Sequence, residues 1–482
     1  MAIDKKTILS VVDDYAAKIA QLGDDIWDAA EICYTEVKSA EYLASALEEA
    51  GFDVKRGVAD IPMAFTATYG SGKPVVGILG EYDALAAVSQ KADCFEKVPE
   101  VPGGNGHGCG HNLLGAGSFG AAVALKKYID EGGKGTVIYF GCPAEEGGAG
   151  KVFMARAGLF DGVDFAVSWH PSSTSSISID GYLANYQVCY KFKGISSHAA
   201  IAPHMGRSAL DAVELMNVGV QFLREHVIPE ARIHYAITNS GGMSPNVVQP
   251  YAEVMYLIRA PKMPDVQHIY ERVNKIAQGA ALMTETELEI QFVKSVANVI
   301  PNRVMCEVMQ KCAEAIEPTT YTEEEIEYAK KMIGGADVAK DSGRFLHKFS
   351  NKQIAAEVRK TISDPIQGKL WPLMDIEEVA PVSSDVGDVS WITPVAQISH
   401  TTCAAGTVSH SWQMVAQGKS SIAHKGMVFA AKVMASTAME MMENPELIAK
   451  AQAELEERRE GVPYSSPIPA EVQPPIPEQY KK

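Results

Sequence analysis

The chain has 482 residues, more than one ordinary hydrophobic core accommodates, and we expect two domains. Its 43 Lys and Arg against 60 Asp and Glu give a net charge of -17, which disfavours binding to nucleic acid or to anionic membranes. The N-terminus lacks an apolar signal segment, and no apolar run is long enough to span a bilayer. The eight cysteines show no framework spacing, so we expect a cytoplasmic protein with free thiols.

The N-terminal part of the chain predicts helices and strands in alternation. Apolar residues at helical spacing indicate helices over 5–22, 39–50 and 113–128. Apolar runs indicate strands over 65–69, 74–80, 136–141 and 165–169. This alternation predicts an α/β fold around a mixed, mostly parallel sheet.

Charged and imidazole side chains follow three of these strands. Asp83, the pair Glu145 and Glu146, and His170 each come just after a predicted strand. Because the carboxyl ends of parallel strands meet at one edge of a sheet, we expect these loops to converge there. Solvated charge is the ordinary interpretation of adjacent glutamates, but a position between a strand end and glycines is unusual for it.

A glycine-rich loop at 105–112 carries His107, Cys109 and His111. A thiolate and an imidazole separated by one residue can bind one metal ion if the backbone between them bends, and glycines allow this. The alternative is a buried structural cysteine beside an ordinary histidine. The loop residues alone leave both interpretations open.

The segment from 184 to 297 has a different order of elements. It predicts strands over 186–193, 233–238, 252–258 and 287–293, and helices over 206–226 and 264–282. This βαββαβ order is the ferredoxin-like arrangement, which can fold as a compact insert. We therefore expect an inserted domain of residues 185–297 within a larger domain made of 1–184 and 298–482.

The C-terminal part is less regular. Apolar spacing predicts helices over 302–316 and 422–442, with His410 in the loop before the second helix. Residues 319–379 are charged and predict mostly helix, without a definite place in the fold. Residues 462–482 contain six prolines and predict an extended tail at the surface.

The order of the motifs resembles a known family. In chain order they are His-x-Cys-Gly-His at 107–111, Glu-Glu-Gly-Gly at 145–148, Trp-His-Pro at 169–171, Ser-His-Ala at 197–199 and a late His410. Together they resemble the M20 family of metallopeptidases and amidohydrolases, especially its cysteine-containing branch. Segments at 104–115, 234–242, 384–391 and 422–427 resemble the B subunits of p-aminobenzoyl-glutamate hydrolases, a group within that branch. The resemblance covers nearly the whole chain and implies a phosphorylase/hydrolase-like catalytic domain of the zinc-peptidase type, with an inserted ferredoxin-like lid that mediates dimerisation.

The resemblance also implies a site for two divalent metal ions. It gives Cys109 as the bridging ligand, His111 and His170 as ligands of one ion, and Glu146 and His410 as ligands of the other. Thiolate, imidazole and carboxylate groups suit Mn²⁺, Zn²⁺ or Co²⁺, and the sequence does not choose among them.

Other residues near these motifs receive supporting roles. By resemblance Glu145 is the general base, and Asp83 orients a ligand histidine. His424 competes with His410 for the last ligand position, while hydrogen bonding within the loop is the preferred role of His107. Asn112 stands where many relatives have aspartate, so we expect it to alter metal affinity or the pH profile.

The resemblance extends to substrate binding. His198 resembles a histidine that relatives bring to the active site of a neighbouring subunit, where it stabilises the oxyanion. Asn246 and Arg259 match positions that hold the substrate carboxylate. Arg207 is a second candidate for that role, and an ordinary surface arginine is an equally good interpretation of it.

The implied reaction is hydrolysis of N-acyl or N-aroyl amino acids, with p-aminobenzoyl-glutamate as the expected substrate in folate catabolism. A related dipeptidase or an auxin-aspartate-type hydrolase is the alternative within the family. A non-catalytic partner subunit is the alternative outside enzymes, and the complete ligand set argues against it. We expect a homodimer through the lid or a hetero-oligomer with a paralogous subunit, and no nucleic acid or membrane partner.

Overall fold

The computed structural model describes residues 4–334 and 342–480, and its strands are numbered here in chain order. They are β1 (Asp53–Arg56), β2 (Phe65–Ser71), β3 (Val75–Glu81), β4 (Gly135–Cys142), β5 (Phe165–Ser172), β6 (Thr174–Ile177), β7 (Gly181–Tyr182), β8 (Ala184–Lys193), β9 (Arg232–Asn239), β10 (Tyr251–Ala260), β11 (Glu287–Val296), β12 (Gln367–Leu370), β13 (Val379–Ala380) and β14 (Val395–Thr401). The α-helices are Lys5–Asp14, Ala16–Ala29, Val37–Glu49, His111–Asp130, Gly150–Arg156, Ala209–Leu223, Met263–Thr284, Arg303–Glu314, Glu323–Ile333, Lys352–Arg359, Val386–Ile392, Trp412–Gln417, Ser421–Glu443 and Pro445–Arg458.

The larger sheet has eight strands in the order β1-β2-β4-β3-β5-β14-β6-β12. Its four central strands β4, β3, β5 and β14 run parallel, while β1 and β2 pair antiparallel with their neighbours and β6 runs antiparallel to β14. The predicted mixed, mostly parallel sheet is therefore confirmed. All four central strands end at the same edge, which brings the loops after them together.

The helix His111–Asp130 lies directly on this sheet because small residues face it. A Cβ added to Gly117 would come within 2.8 Å of the Trp169 ring, and one added to Gly115 within 2.7 Å of the Glu81 carbonyl oxygen. The glycines thus allow the helix backbone to approach the strands closely. Its other side packs against the helix Ser421–Glu443 within the main hydrophobic core.

The second sheet is antiparallel, with the order β11-β8-β10-β9. The helices Ala209–Leu223 and Met263–Thr284 cover one of its faces around a hydrophobic core drawn entirely from residues 184–281. The predicted βαββαβ order is confirmed, and the strand order is that of a ferredoxin-like fold. The division into domains at residues 185 and 297 stays a prediction.

Two segments differ from the sequence-based expectation. The single helix predicted over 5–22 is two helices that meet at Tyr15, whose φ of -91° and ψ of 0° are not helical. The segment 319–379 is less helical than predicted, because β12 joins the edge of the larger sheet and β13 pairs with β7. Its residues 335–341 lie outside the described part of the chain.

The C-terminal tail packs against the body of the protein. Ile468 and Ile476 are buried, and Arg156 donates hydrogen bonds to the carbonyl oxygens of Pro469 and Val472. No helix in the two described ranges is both long and apolar enough to cross a membrane.

Candidate metal centre

The candidate site lies at the carboxyl edge of the larger sheet. Each residue predicted to follow a strand reaches this edge: Asp83 after β3, Glu145 and Glu146 after β4, and His170 within β5. His410, predicted only to lie in a loop before a helix, follows β14 and reaches the same edge. Cys109 and His111 join them from the glycine-rich loop. Gly110 between them has a left-handed φ of 78°, which turns the chain so that both side chains point to the same place.

Three groups of side chains converge closely enough to hold a metal ion. Within each group, one ligand atom from every member lies within 4.8 Å of the others. The groups are Cys109, His111 and His170; Cys109, Glu146 and His410; and His111, Glu145 and Glu146. Cys109 belongs to two of them, and its Sγ is 3.6 Å from Nε2 of His170. A thiolate shared between two groups is suited to bridging two ions.

Asp83 fixes the orientation of this cluster. Its Oδ1 is 2.8 Å from Nδ1 of His111, and its Oδ2 accepts a hydrogen bond of 2.9 Å from the backbone N–H of Glu146. A carboxylate on one imidazole nitrogen leaves the other nitrogen directed at the cluster, as in many metal sites. Asp83 therefore ties together two of the three predicted strand-end loops.

The ionisation of Cys109 and Glu146 matches the needs of metal ligands. Burial opposes ionisation of the Cys109 thiol, but the imidazoles of His111 and His170 outweigh it and lower its pKa to about 5. Burial also opposes ionisation of Glu146, yet a hydrogen bond from His410 and the charge of His111 lower its pKa to about 2. Both side chains therefore favour the anionic form that metal binding requires.

The pKa values of two imidazoles, those of His410 and His170, are raised instead of lowered. Hydrogen bonds with Cys109 and Glu146 raise the pKa of His410 to about 10. Burial favours neutral His170, but the Cys109 sulfur raises its pKa to about 9. These histidines thus bind protons at a place where negative charge collects.

Unpartnered atoms show that the residues fit a cation. Nε2 of His111 and Oε1 of Glu146 are buried and make no hydrogen bond. Buried polar atoms without partners are costly, and a metal ion is the partner that imidazole nitrogen and carboxylate oxygen have in common. Thiolate, imidazole and carboxylate together fit Mn²⁺, Zn²⁺ or Co²⁺.

A buried ion triplet underlies the cluster, and sequence analysis missed it. Nζ of Lys151 lies 2.6 Å from Oε1 of Glu81 and 2.6 Å from Oδ1 of Asp385, and none of the three side chains is more than 3% exposed. Oε2 of Glu81 also lies 3.4 Å from Nε2 of His111. The signal in the sequence was Lys151 inside a segment that is otherwise apolar or small.

Glu145 is half-buried between the triplet and the candidate ligands. Burial raises the pKa of Glu145 to about 8, and the charges of Glu81 and Asp385 add to this effect. A carboxyl group with a pKa near neutrality can both accept and donate a proton during a reaction.

The structure separates the two competing histidines. Nε2 of His410 lies 3.4 Å from Oε2 of Glu146, whereas His424 forms an ion pair of 2.9 Å with Asp24, away from the clusters. His410 has a left-handed φ of 61°, which is uncommon for a residue other than glycine and is concentrated at functional sites.

Two neighbouring polar residues serve the fold. His107 lies outside the ligand groups, and its Nε2 is 2.9 Å from the carbonyl oxygen of Ile26 in the helix Ala16–Ala29, so its hydrogen bond leaves the loop rather than staying within it as predicted. The Asn112 side chain donates to the carbonyl oxygens of Gly23 and Gly418, both at 3.1 Å, and so points away from the cluster.

A cavity of about 860 Å³ opens above the cluster, between the two sheets. Arg259 lines it, while His198, Asn246 and Arg207 do not line the cavity of their own chain. The backbone N–H of Ala199 donates to the Asn246 carbonyl oxygen, so His198 and Asn246 lie on adjoining loops. Arg207 is paired with a surface glutamate. The roles of these four residues stay predictions.

A sheet that gathers a thiol, histidines and carboxylates at its carboxyl edge defines a hydrolase that uses metal ions. The family model for the peptidase family M20/M25/M40 matches residues 77–469, and the chain belongs to this family. It is accordingly a metal-dependent amidohydrolase.

Relatives of known name cover most of the chain. It is 49% identical over 464 residues to the B subunit of p-aminobenzoyl-glutamate hydrolase from Escherichia coli (strain K12), a match to 95% of this chain and 96% of the relative. It is 31% identical over 317 residues to Xaa-Arg dipeptidase of Mus musculus, covering 63% and 69% of the two chains. A solved Bacillus subtilis structure, a dinuclear metal binding peptidase from the M20 family, has a TM-score of 0.55 at 18% identity and covers 89% and 99%. This last likeness confirms the fold.

Proposed function

We propose that the chain hydrolyses the amide bond of N-acyl or N-aroyl amino acids, and that p-aminobenzoyl-glutamate is its substrate, releasing p-aminobenzoate and glutamate. The observation that carries the proposal is the sharing of Cys109 between two ligand groups beside the half-buried Glu145. The 49% identity to one of the p-aminobenzoyl-glutamate hydrolase subunits, over nearly the full length of both chains, supports the choice of substrate.

Five side chains are proposed to hold two divalent ions, Mn²⁺ or Zn²⁺: Cys109, His111, His170, Glu146 and His410. Such ions lower the pKa of water and polarise a carbonyl group. Glu145 takes the proton of the attacking water and passes it to the leaving nitrogen. Asp83 keeps the His111 imidazole in the orientation that binding requires.

Arg259 is proposed to hold the substrate's α-carboxylate. It lines the cavity, and its Nε is buried without a hydrogen-bond partner. A guanidinium group binds a carboxylate through two parallel hydrogen bonds, so an anion would satisfy this orphaned donor.

The proposal is tested by measuring glutamate release from p-aminobenzoyl-glutamate with metal-stripped chain before and after Mn²⁺ or Zn²⁺ is restored. We expect activity that depends on added metal and that Glu145→Gln abolishes. Glu131→Gln, which changes an exposed glutamate, is the matched control and should retain full activity. Full activity after exhaustive chelation, or in Glu145→Gln, would contradict the mechanism.

We also propose that the chain works as an oligomer, either a homodimer through residues 185–297 or a complex with a paralogous subunit. Because His198 and Asn246 do not line their own chain's cavity, a second subunit could receive them. Exposed apolar side chains on the insert support a contact there: Phe222 is 72% exposed and Leu282 is 82% exposed. Native mass measurement of the chain alone and with a candidate partner tests this, and a monomer that is fully active would refute it.

A further inference from the structure

The cavity has walls of opposite charge. One wall is the candidate metal centre with its carboxylates, and the other is the face of the four-stranded sheet that its helices leave uncovered. That second wall carries Arg232 on β9, Arg259 on β10 and Lys294 on β11. We call these three side chains the cationic face.

Strand register places two of these cations side by side. Arg259 is directly opposite Arg232 in the antiparallel pair β10–β9, where neighbouring strands are about 4.8 Å apart. Like charges in opposite positions destabilise a sheet. An anion bound between or beside the two guanidinium groups would remove that repulsion.

The cations of this face form no ion pairs with carboxylates of residues 4–334 or 342–480. Their hydrogen bonds go to neutral oxygens instead. Arg232 donates to the carbonyl oxygens of Pro229 and Ala231, Arg259 to the Ser383 hydroxyl, and Lys294 to the Glu146 carbonyl oxygen.

Outside the cavity, cationic side chains on the same side of the sheet do form ion pairs. Lys191 and Lys193 stand on β8 on the same side as Gln187, which lines the cavity, and both pair with Glu289, at 3.2 Å and 3.0 Å. The two lysines outside the cavity are therefore neutralised by a glutamate of the same sheet. The three side chains of the cationic face are not, and they remain available to bind an anion. Whether a cation on this side of the sheet is paired thus depends on whether it lines the cavity.

The positive field of the face is evident at His234, which lines the cavity beside Arg232. Burial lowers the pKa of His234, and the charges of Arg259, Arg224 and Arg232 lower it further. In a chain with a net charge of -17, such a local excess of positive charge is suited to an anionic ligand.

We infer that Arg232, which stands opposite Arg259 on the cationic face, binds the side-chain carboxylate of the substrate's amino acid and is the specificity-determining residue. Lys294 takes no part in this contact, because it lies on the opposite outer strand of the sheet, three strand spacings away. The inference rests on the proposed function, in which Arg259 holds the α-carboxylate. It specifies the substrate class as N-acyl dicarboxylic amino acids. An acyl-arginine, whose side chain is cationic, is repelled by the same face, which separates this chain from a dipeptidase that prefers arginine.

The test compares N-(4-aminobenzoyl)-glutamate with N-(4-aminobenzoyl)-glutamine, which have the same length and shape but differ in side-chain charge. Dissociation constants are measured by calorimetry on the metal-loaded full chain carrying Glu145→Gln, and kcat/KM is measured on the chain with Glu145 intact. We expect both measurements to favour the glutamyl compound by about 100-fold, the effect of a hydrogen bond between charged groups.

Arg232→Gln should reduce this preference at least tenfold. Lys191→Gln is the matched control, because it removes a paired lysine from the same sheet face outside the cavity. The preference is a ratio within one preparation, so a partly unfolded variant does not distort it.

The outcomes separate the two proposals. Equal binding of the two compounds, or a preference that survives Arg232→Gln, would overturn the inference and show that the cations of this face only balance the acidic wall. A binding preference that Arg232→Gln removes, without turnover by the unsubstituted chain, would support the inference while refuting hydrolysis.

Discussion

Replacing Lys151 with methionine would remove the cation shared by two buried carboxylates and leave a side chain of similar length. Glu81 and Asp385 would then each have lost an ion pair of 2.6 Å in the interior, and Glu81 would retain the longer contact of 3.4 Å with His111. Breaking a buried pair in this way costs about 3–5 kcal/mol, because the remaining charges have no solvent to stabilise them. Lys151→Met should therefore lose about that much free energy of unfolding.

The loss is measurable by thermal unfolding. An unfolding entropy of about 2.1 cal per mol per K per residue gives about 1 kcal per mol per K for 482 residues, so the melting temperature should fall by about 3–5 °C. Lys126→Met is the matched control, since it removes a partly exposed pair with Asp130 that contributes at most about 1 kcal/mol.

The pH dependence of the stability of Lys151→Met is a sharper test than its melting temperature. In Lys151→Met the two carboxyl groups have folded-state pKa values above their unfolded values, so the native state binds more protons. Stability then falls as pH rises above about 4, and the deficit against the unsubstituted chain should be larger at pH 8 than at pH 5. A deficit that is the same at both pH values, or no larger than that of Lys126→Met, would refute the argument.

Three further predictions follow from single contacts. Asn112→Asp should destabilise the fold by about 1–3 kcal/mol in chemical unfolding, because a carboxylate cannot donate to the carbonyl oxygens of Gly23 and Gly418; unchanged stability would contradict this. Burial raises the pKa of Asp388 to about 7, above its unfolded value, so the native state binds the extra proton and stability falls between about pH 4 and 7. Asp388→Asn should lack this slope in urea unfolding at pH 5, 6 and 7, and an identical slope would count against it. Cys109→Ala should bind fewer than two Mn²⁺ or Zn²⁺ ions per chain in equilibrium dialysis, whereas Cys109→Asp should retain two; full binding by the alanine variant would exclude a bridging thiolate.

The sequence predicted the position of site residues that directly follow predicted parallel strands. Asp83, Glu145 and His170 could be placed at one edge because three apolar runs predicted parallel strands, and parallel strands end together. The contact between Asp83 and His111 follows from that geometry. The helix break at Tyr15 had no comparable signal, since apolar spacing continues through it. Strand β12 is short and lies in a charged segment, so periodicity could not distinguish it from helix.

Lys151 and the cationic face were missed for a different reason, although Lys151 stands out within an apolar and small-residue segment. A lysine beside glycines is ordinarily solvated, and only the packing of Glu81 and Asp385 around it shows that it is buried. Arg232 and Lys294 face the cavity only in the observed strand register, because a shift of one residue would turn either side chain to the opposite face. Periodicity gives the strands but not their register.

The overall charge and the cavity charge act at different distances. A net charge of -17 repels an anionic substrate in solution, but salt screens that repulsion beyond roughly 8 Å at physiological ionic strength. Inside the cavity Arg259 is partly buried, and burial lowers its pKa by penalising the charged form, so its interaction with an anion is screened less. Recognition of a carboxylate must therefore depend on short-range contacts with the cationic face. Added salt should weaken the preference for a glutamyl over a glutaminyl substrate far less than it changes the rate of encounter.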